Sequence, residues 1–140
     1  MTDLASALRR CGLFRGFDDA RLEQLIRAAE DVAVAAGEDV FREGDPGDAM
    51  FVVLDGAAQV YTRDPEGREV VLARLEAGGH FGEQALLPGT TGRRGASVRA
   101  AEALRLARVP KATFQAALAR DDALRERLVE LGTEHLRSNL

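Results

Sequence analysis

The sequence predicts a mainly β fold flanked by helices, with an antiparallel sandwich or barrel between them. Three observations predict it. Residues 3–30 carry helical periodicity, residues 32 to about 109 break into short alternating apolar runs divided by glycine-rich turns, and Pro110 returns the chain to helical spacing. At 140 residues the chain fits one domain, assigned to 1–140, with a helical lead-in at 1–30, strands over 31–109 and closing helices at 110–140.

Within the lead-in, Leu4, Leu8 and Cys11 are spaced for one helix face, and Leu22, Leu25, Ile26 and Ala29 for another. Asp18 and Asp19, just before Ala20, are placed to cap the second helix. The dividers AAGED, REGDPGDA, LDGA, DPEGRE, EAGG, PGTTG and RAAEA leave strand candidates at 31–35, 39–42, 49–54, 57–64, 68–75, 94–99 and 103–109. DPEG at 64–67 has proline and glycine placed for a tight hairpin turn. Pro110 then ends the strands and opens a helix on which Phe114, Ala117 and Leu118 share a face. A last helix is expected from Asp121, with Leu124, Leu128, Leu131 and His135 in a narrow stripe. The stripe suits the chain's own barrel or a twin helix. A monomer, or a weak homodimer through this helix, is expected.

Composition narrows the function. With 46% hydrophobic and 30% charged residues this is ordinary globular material. The longest apolar runs are a few residues, as in Met50–Leu54, so no membrane span is expected. Charges sit where a signal peptide would be apolar, which points to the cytoplasm. Cys11 stands alone, excluding an internal disulfide, and His80 and His135 lie far apart, arguing against a metal site. A net charge of −4 argues against a basic nucleic-acid-binding face. Lys111 is the sole lysine, which suits a GC-rich bacterial genome and carries no mechanism.

Two glycine-rich stretches carry chemistry. FREGDPGDAMFVVLDGAAQVY, residues 41–61, has glycines at 44, 47 and 56 where tight turns need positive φ; by itself it is also simply two linked strands. In HFGEQALLPGTTGRRGASV, residues 80–98, Gly82 lets backbone approach a ligand and Glu83 begins a short helix through Leu87. The free N–H groups of a helix start attract an anion. Glu83 suits a ligand hydroxyl, and Arg94 suits a phosphate through a two-pronged contact, with Gly95 and Ala96 leaving N–H groups open beside it. An acid for a hydroxyl and an arginine for an adjacent phosphate describe a ribose phosphate. Equally, Glu83 and Arg94 can pair with each other across the loop.

FGEQALLPGTTGRRGASV resembles the phosphate-binding cassette, here 81–98, of cyclic nucleotide-binding domains, and FREGDPGDAMFVVLDGAAQVY is similar to their upstream glycine-rich segment. LFRGFDDARLEQLIRAAEDVAVAAGEDV resembles the helical lead-in and first strand. The resemblance covers nearly the whole chain, through two separated motifs in order. It implies a double-stranded β-helix, or jelly roll, of about eight strands with two closing helices. It also implies that Glu83 accepts the ribose 2′-hydroxyl beside Gly82, and that Arg94 with the N–H groups of Gly95 and Ala96 holds the cyclic phosphate. Gln84, Ala85 and Ser97 complete the cassette side of the binding set. Val60, Leu72 and Ala73 then line purine and ribose, and His135, Arg137 and Asn139 fall where base-capping residues sit. Arg93 is the rival phosphate ligand, but the family's R-small-A register selects Arg94.

Two positions depart from the family's pattern. Gln84 stands at an apolar position, so its amide must reach solvent or a partner. Gly95 stands where many members have alanine, serine or threonine, and threonine there favours guanine. The glycine therefore favours cyclic AMP over cyclic GMP. The function expected is a binding and signalling module, with no cofactor, acting on a separate effector or through an output domain absent from these 140 residues. Two other classes stand against it. One is a degenerate member serving as a ligand-free interaction scaffold. The other is a cupin-like metal enzyme suggested by GGHFGE, which wants two or three histidines where the barrel region has only His80.

Overall fold

The computed structural model describes residues 2–120 and residue 126. The lead-in is two helices, α1 (Leu4–Arg10) and α2 (Asp19–Ala28), joined through a 3₁₀ turn at Gly12–Phe14. Asp3 caps α1 by accepting from the Ser6 N–H, and Asp18 caps α2 by accepting from the Arg21 N–H at 2.9 Å. Asp19 lies inside α2, where its charge suits the first turn.

Eight strands follow among the described residues: β1 (Glu30–Val34), β2 (Asp39–Phe41), β3 (Ala49–Asp55), β4 (Ala58–Arg63), β5 (Glu69–Leu75), β6 (His80–Phe81), β7 (Ser97–Ala100) and β8 (Leu104–Pro110). They form two four-stranded antiparallel sheets, ordered β1-β8-β3-β6 and β2-β7-β4-β5, rather than one closed ring of hydrogen bonds. Helix α3 (Lys111–Ala119) leaves from Pro110, with Phe114 and Leu118 buried. Residue 126 is helical, and the rest of the expected last helix, with Leu124, Leu128, Leu131, His135, Arg137 and Asn139, lies outside the described residues.

The apolar run of β3 explains how the layers hold together. Residues 49–54 are all buried, because the strand is covered on both faces. Met50, Val52 and Leu54 point into a cluster with Leu8, Leu25, Phe114 and Leu118 of the helices. Ala49, Phe51 and Val53 point the other way, against Phe81, Val98, Leu104 and Leu106 between the sheets. Burying each large side chain stabilises the fold by about 1.5–3 kcal/mol.

Several expectations shift. The two-residue β6 was not predicted; it is too short to show alternation and exists only because Phe51 and Val52 pair with Phe81 and His80. The strand expected from Arg94 begins at Ser97. Before that point Gly92 and Arg94 bond to the 44–47 turn: Gly47 N–H donates to Gly92 O and Arg94 N–H to Asp45 O. Gly44 and Gly56 have the expected positive φ, but Gly47 does not. Gly47 is needed for space, since a Cβ there would sit 2.7 Å from the Ala85 Cβ.

Candidate functional site

Strand β6 carries the chain to Gly82, whose φ of +87° turns it sharply. Glu83 follows in a right-handed helical conformation, and a single 3₁₀ turn, Gln84–Leu86, takes the place of the helix expected through Leu87. A turn this short carries no useful macrodipole, so the anion-attracting helix start is not what is built here. Leu86 anchors the turn among the helices, where its carbonyl accepts from Gln115 Nε2 at 3.3 Å.

Arg94 points inward: its side chain is 2% exposed. Nη1 donates to Gly82 O at 2.6 Å, and Nη2 donates to Ala49 O at 2.7 Å and to Asp48 Oδ1 at 3.4 Å. The guanidinium carbon lies 4.0 Å from the centre of the Phe41 ring. Burial pushes the guanidinium below its ordinary value, while Asp48, Asp45 and Glu83 act to keep it charged. A guanidinium has five N–H donors. Here Nε is buried with no hydrogen-bond partner, an omission worth about 1–3 kcal/mol unless another acceptor meets it. Among the described residues the N–H groups of Gly95 and Ala96 are engaged by no protein acceptor. Arg93, the rival, is exposed and donates to Gly44 O at 2.9 Å on the outside of the same loop.

The carboxylate side is as buried. Glu83 is 2% exposed, and its Oε2 lies 3.4 Å from His80 Nδ1, in ion-pair range. Contact with that carboxylate pushes His80 above its ordinary value, against the opposing effect of burial. Cys11 sits near enough that Glu83 reinforces burial in raising its thiol; packed with Leu8 and Leu13, it acts as a small apolar group. Gln84 Nε2 is buried and also lacks a partner, so the departure at Gln84 leaves a polar atom unsatisfied inside the cassette.

The remaining expected residues divide. Ala85 and Ser97 are buried, and the Ser97 hydroxyl accepts from Glu43 N–H at 2.9 Å, which occupies it structurally. Val60 packs at the edge of the inter-sheet cluster and pairs with Ala73 across the β4–β5 ladder. Leu72 is 47% exposed and Ala73 is exposed too, because β5 is the edge strand of its sheet. Sequence reasoning passed over Phe41, Asp48, Ala49 and His80 as site residues. Asp48 and Ala49 stand in the glycine-rich segment already singled out, yet nothing local shows that they meet Arg94.

A hollow of about 490 Å³ lies elsewhere, lined by Asp39, Arg42, Glu43, Tyr61, Arg63 and Ser97. Its polar groups are already engaged within the protein: the Tyr61 hydroxyl donates to Asp39 at 2.7 Å, Arg42 pairs with Asp39 at 3.0 Å, Glu43 accepts from the Thr62 hydroxyl and Arg63 pairs with Glu69. Among the described residues the buried polar atoms without a hydrogen-bond partner include Gln84 Nε2 and Arg94 Nε, so the unmet chemistry concentrates in the cassette instead. Among the described residues no three His, Cys, Asp or Glu side chains converge to hold a metal ion.

Comparison with known families decides the lineage, since the profile described as cyclic nucleotide-binding domain matches residues 31–121. The chain belongs to the cyclic nucleotide-binding domain family. One relative, a CRP-like cAMP-activated global transcriptional regulator of Mycobacterium tuberculosis, is 33% identical over 76 residues, covering 54% of this chain and 34% of that protein. A cAMP-dependent protein kinase regulatory subunit of Blastocladiella emersonii is 39% identical over 75 residues, covering 54% of this chain and 19% of the relative. The chain thus spans about a third or less of these curated relatives. In structure, the catabolite activator protein of Thermus thermophilus superposes with a TM-score of 0.78 at 28% identity, over 91% of this chain and 59% of that one. The two sheets and flanking helices are this family's jelly-roll fold.

Proposed function

We propose that this domain is a regulatory sensor, not an enzyme, that takes up cyclic AMP in preference to cyclic GMP. Glu83 meets the ribose hydroxyl, while Arg94 and the N–H groups of Gly95 and Ala96 meet the cyclic phosphate. The observation that carries this reading is the buried Arg94 guanidinium with its Nε–H unmatched, beside a buried carboxylate. The preference for adenine rests on Gly95, which offers no hydroxyl to a guanine, and on relatives named for cAMP. Binding shifts the C-terminal helices only as far as the ligand's affinity differs between their arrangements. The output then passes to an effector protein or a further domain. No helix among the described residues is long and apolar enough to cross a membrane.

Calorimetric titration with cyclic AMP and cyclic GMP tests this on the wild type, Arg94→Ala and Glu83→Ala. Removing the charge-assisted phosphate contact, worth about 1.5–3 kcal/mol, weakens binding at least about tenfold in Arg94→Ala. The second reading is a ligand-free scaffold. It draws on the fact that Arg94 is already held by the carbonyls of Gly82 and Ala49. Absence of heat with either nucleotide at millimolar concentration counts against the sensor and favours the scaffold.

A further inference from the structure

We infer that Phe41 is a positioning residue for Arg94: its ring clamps one face of the guanidinium so that the Nε edge stays turned toward the ligand's anion. This rests on the nucleotide-binding reading for its functional consequence, but not for its geometry.

The clamp is built by an irregularity in β2. In a regular strand Asp39 and Phe41, two residues apart, would share a face. The register shifts between them, so that Asp39 lies opposite Arg99 whereas Phe41 lies opposite Val98. Neighbouring residues of β7 face opposite ways, and the bulge therefore sends the two β2 side chains to opposite sides of the sheet. Asp39 goes to the Tyr61 and Arg42 side, and Phe41 goes inward against the inter-sheet cluster. There it joins Phe51 and Phe81, at ring-centre distances of 6.0 and 5.9 Å, while those two rings stack at 5.1 Å. Two other strands, β3 and β6, thus back the Phe41 ring, and that ring lies 4.0 Å from the Arg94 guanidinium carbon.

The geometry leaves the guanidinium little freedom. The Gly82 and Ala49 carbonyls hold its Nη end, and Phe41 covers a face. Asp48 is a weak counter-ion, because its side chain is 70% exposed and its 3.4 Å contact is screened by water. The negative face of an aromatic ring offsets part of the cation's lost hydration without occupying any N–H group. A carboxylate in the ring's place would compete with a phosphate for the donors. A ring does not.

The test uses Phe41→Leu, which keeps apolar bulk but removes the π face, and Phe41→Tyr, which keeps the ring. The expected result is about three- to tenfold weaker cyclic AMP binding in Phe41→Leu and less than about twofold change in Phe41→Tyr. In an Arg94→Ala background, Phe41→Leu produces no further loss, since the ring acts through the arginine. A ligand-independent readout accompanies it: the ¹⁵N–¹H signal of Arg94 Nε, displaced upfield by the ring, returns toward the ordinary arginine position in Phe41→Leu and stays in Phe41→Tyr. If wild-type protein takes up no nucleotide, the sensor reading fails, and the Nε signal still decides the clamp. An unchanged Nε signal in Phe41→Leu overturns the inference, as does an equal loss of affinity with and without Arg94. Should Phe41→Leu not fold, Phe41→Met replaces it under the same criteria.

Discussion

Replacing Gly82 by alanine is the sharpest perturbation the site offers. The new Cβ would stand 2.9 Å from Arg94 Nη1, 3.3 Å from Ala49 O and 3.4 Å from Phe51 Cδ2. The backbone also holds φ at +87°, a region that costs an L side chain about 1–2 kcal/mol. Relieving the contact pushes Arg94 Nη1 away from Gly82 O, weakening a 2.6 Å hydrogen bond whose net worth is about 0.5–1.5 kcal/mol. Together these destabilise the fold by about 1.5–3.5 kcal/mol, less than the 5–15 kcal/mol typical of a domain, so the variant still folds. Urea denaturation followed by circular dichroism measures the loss. Gly95→Ala is the internal control: its φ lies outside the positive region and its Cβ meets nothing within 4 Å, so its stability should stay within about 0.5 kcal/mol of wild type. A loss below about 1 kcal/mol in Gly82→Ala would show that the loop relaxes freely, and the close approach of Arg94 would lose its significance.

Gly95→Ser should fold as well as wild type, because the space at that position is open, and should bind cyclic nucleotide about two- to tenfold more tightly through one added hydrogen bond; unchanged affinity in calorimetry would remove the hydroxyl argument. The His80 titration makes a prediction about pH. The Glu83 contact raises His80 in the folded state, so its stabilising effect is complete below the unfolded value of about 6.5 and is lost as pH rises through the higher folded value. His80→Asn should flatten the stability–pH curve in that window, and an NMR titration of the wild-type imidazole should show a midpoint above 6.5; equal curves for the two proteins would count against the pairing. Asp18→Ala, which removes the acceptor for Arg21 N–H, should cost about 1 kcal/mol without altering nucleotide affinity, as read by thermal melting and titration.

Much of this was legible before any coordinates. The hairpin at DPEG closes as expected, with Asp64 Oδ1 accepting from the N–H groups of Glu66 and Arg68. The caps, the strand runs and the helical return after Pro110 are likewise local features, decided by neighbours a few residues apart. The choice between Arg93 and Arg94 came from the family's register, and the structure turns Arg94 inward and Arg93 outward. The exposure of Leu72 was not legible, because an apolar run does not say whether its strand lies at a sheet's edge or centre. Nor was Gly47, whose constraint is the Cβ of Ala85 rather than its own backbone angle.

By itself the sequence determined the class of fold, the order of its elements and the two glycine-rich segments that bring an acid and an arginine into one loop. Periodicity, turn chemistry and motif spacing are properties of contiguous residues, so they survive without coordinates. Only the tertiary structure decided what Arg94 touches: Ala49 lies 45 residues away along the chain, and Phe41 reaches the guanidinium through a bulge that alternation alone would place on the wrong face. Such contacts depend on how two sheets close over one another, and their partners are brought together by burial rather than by adjacency.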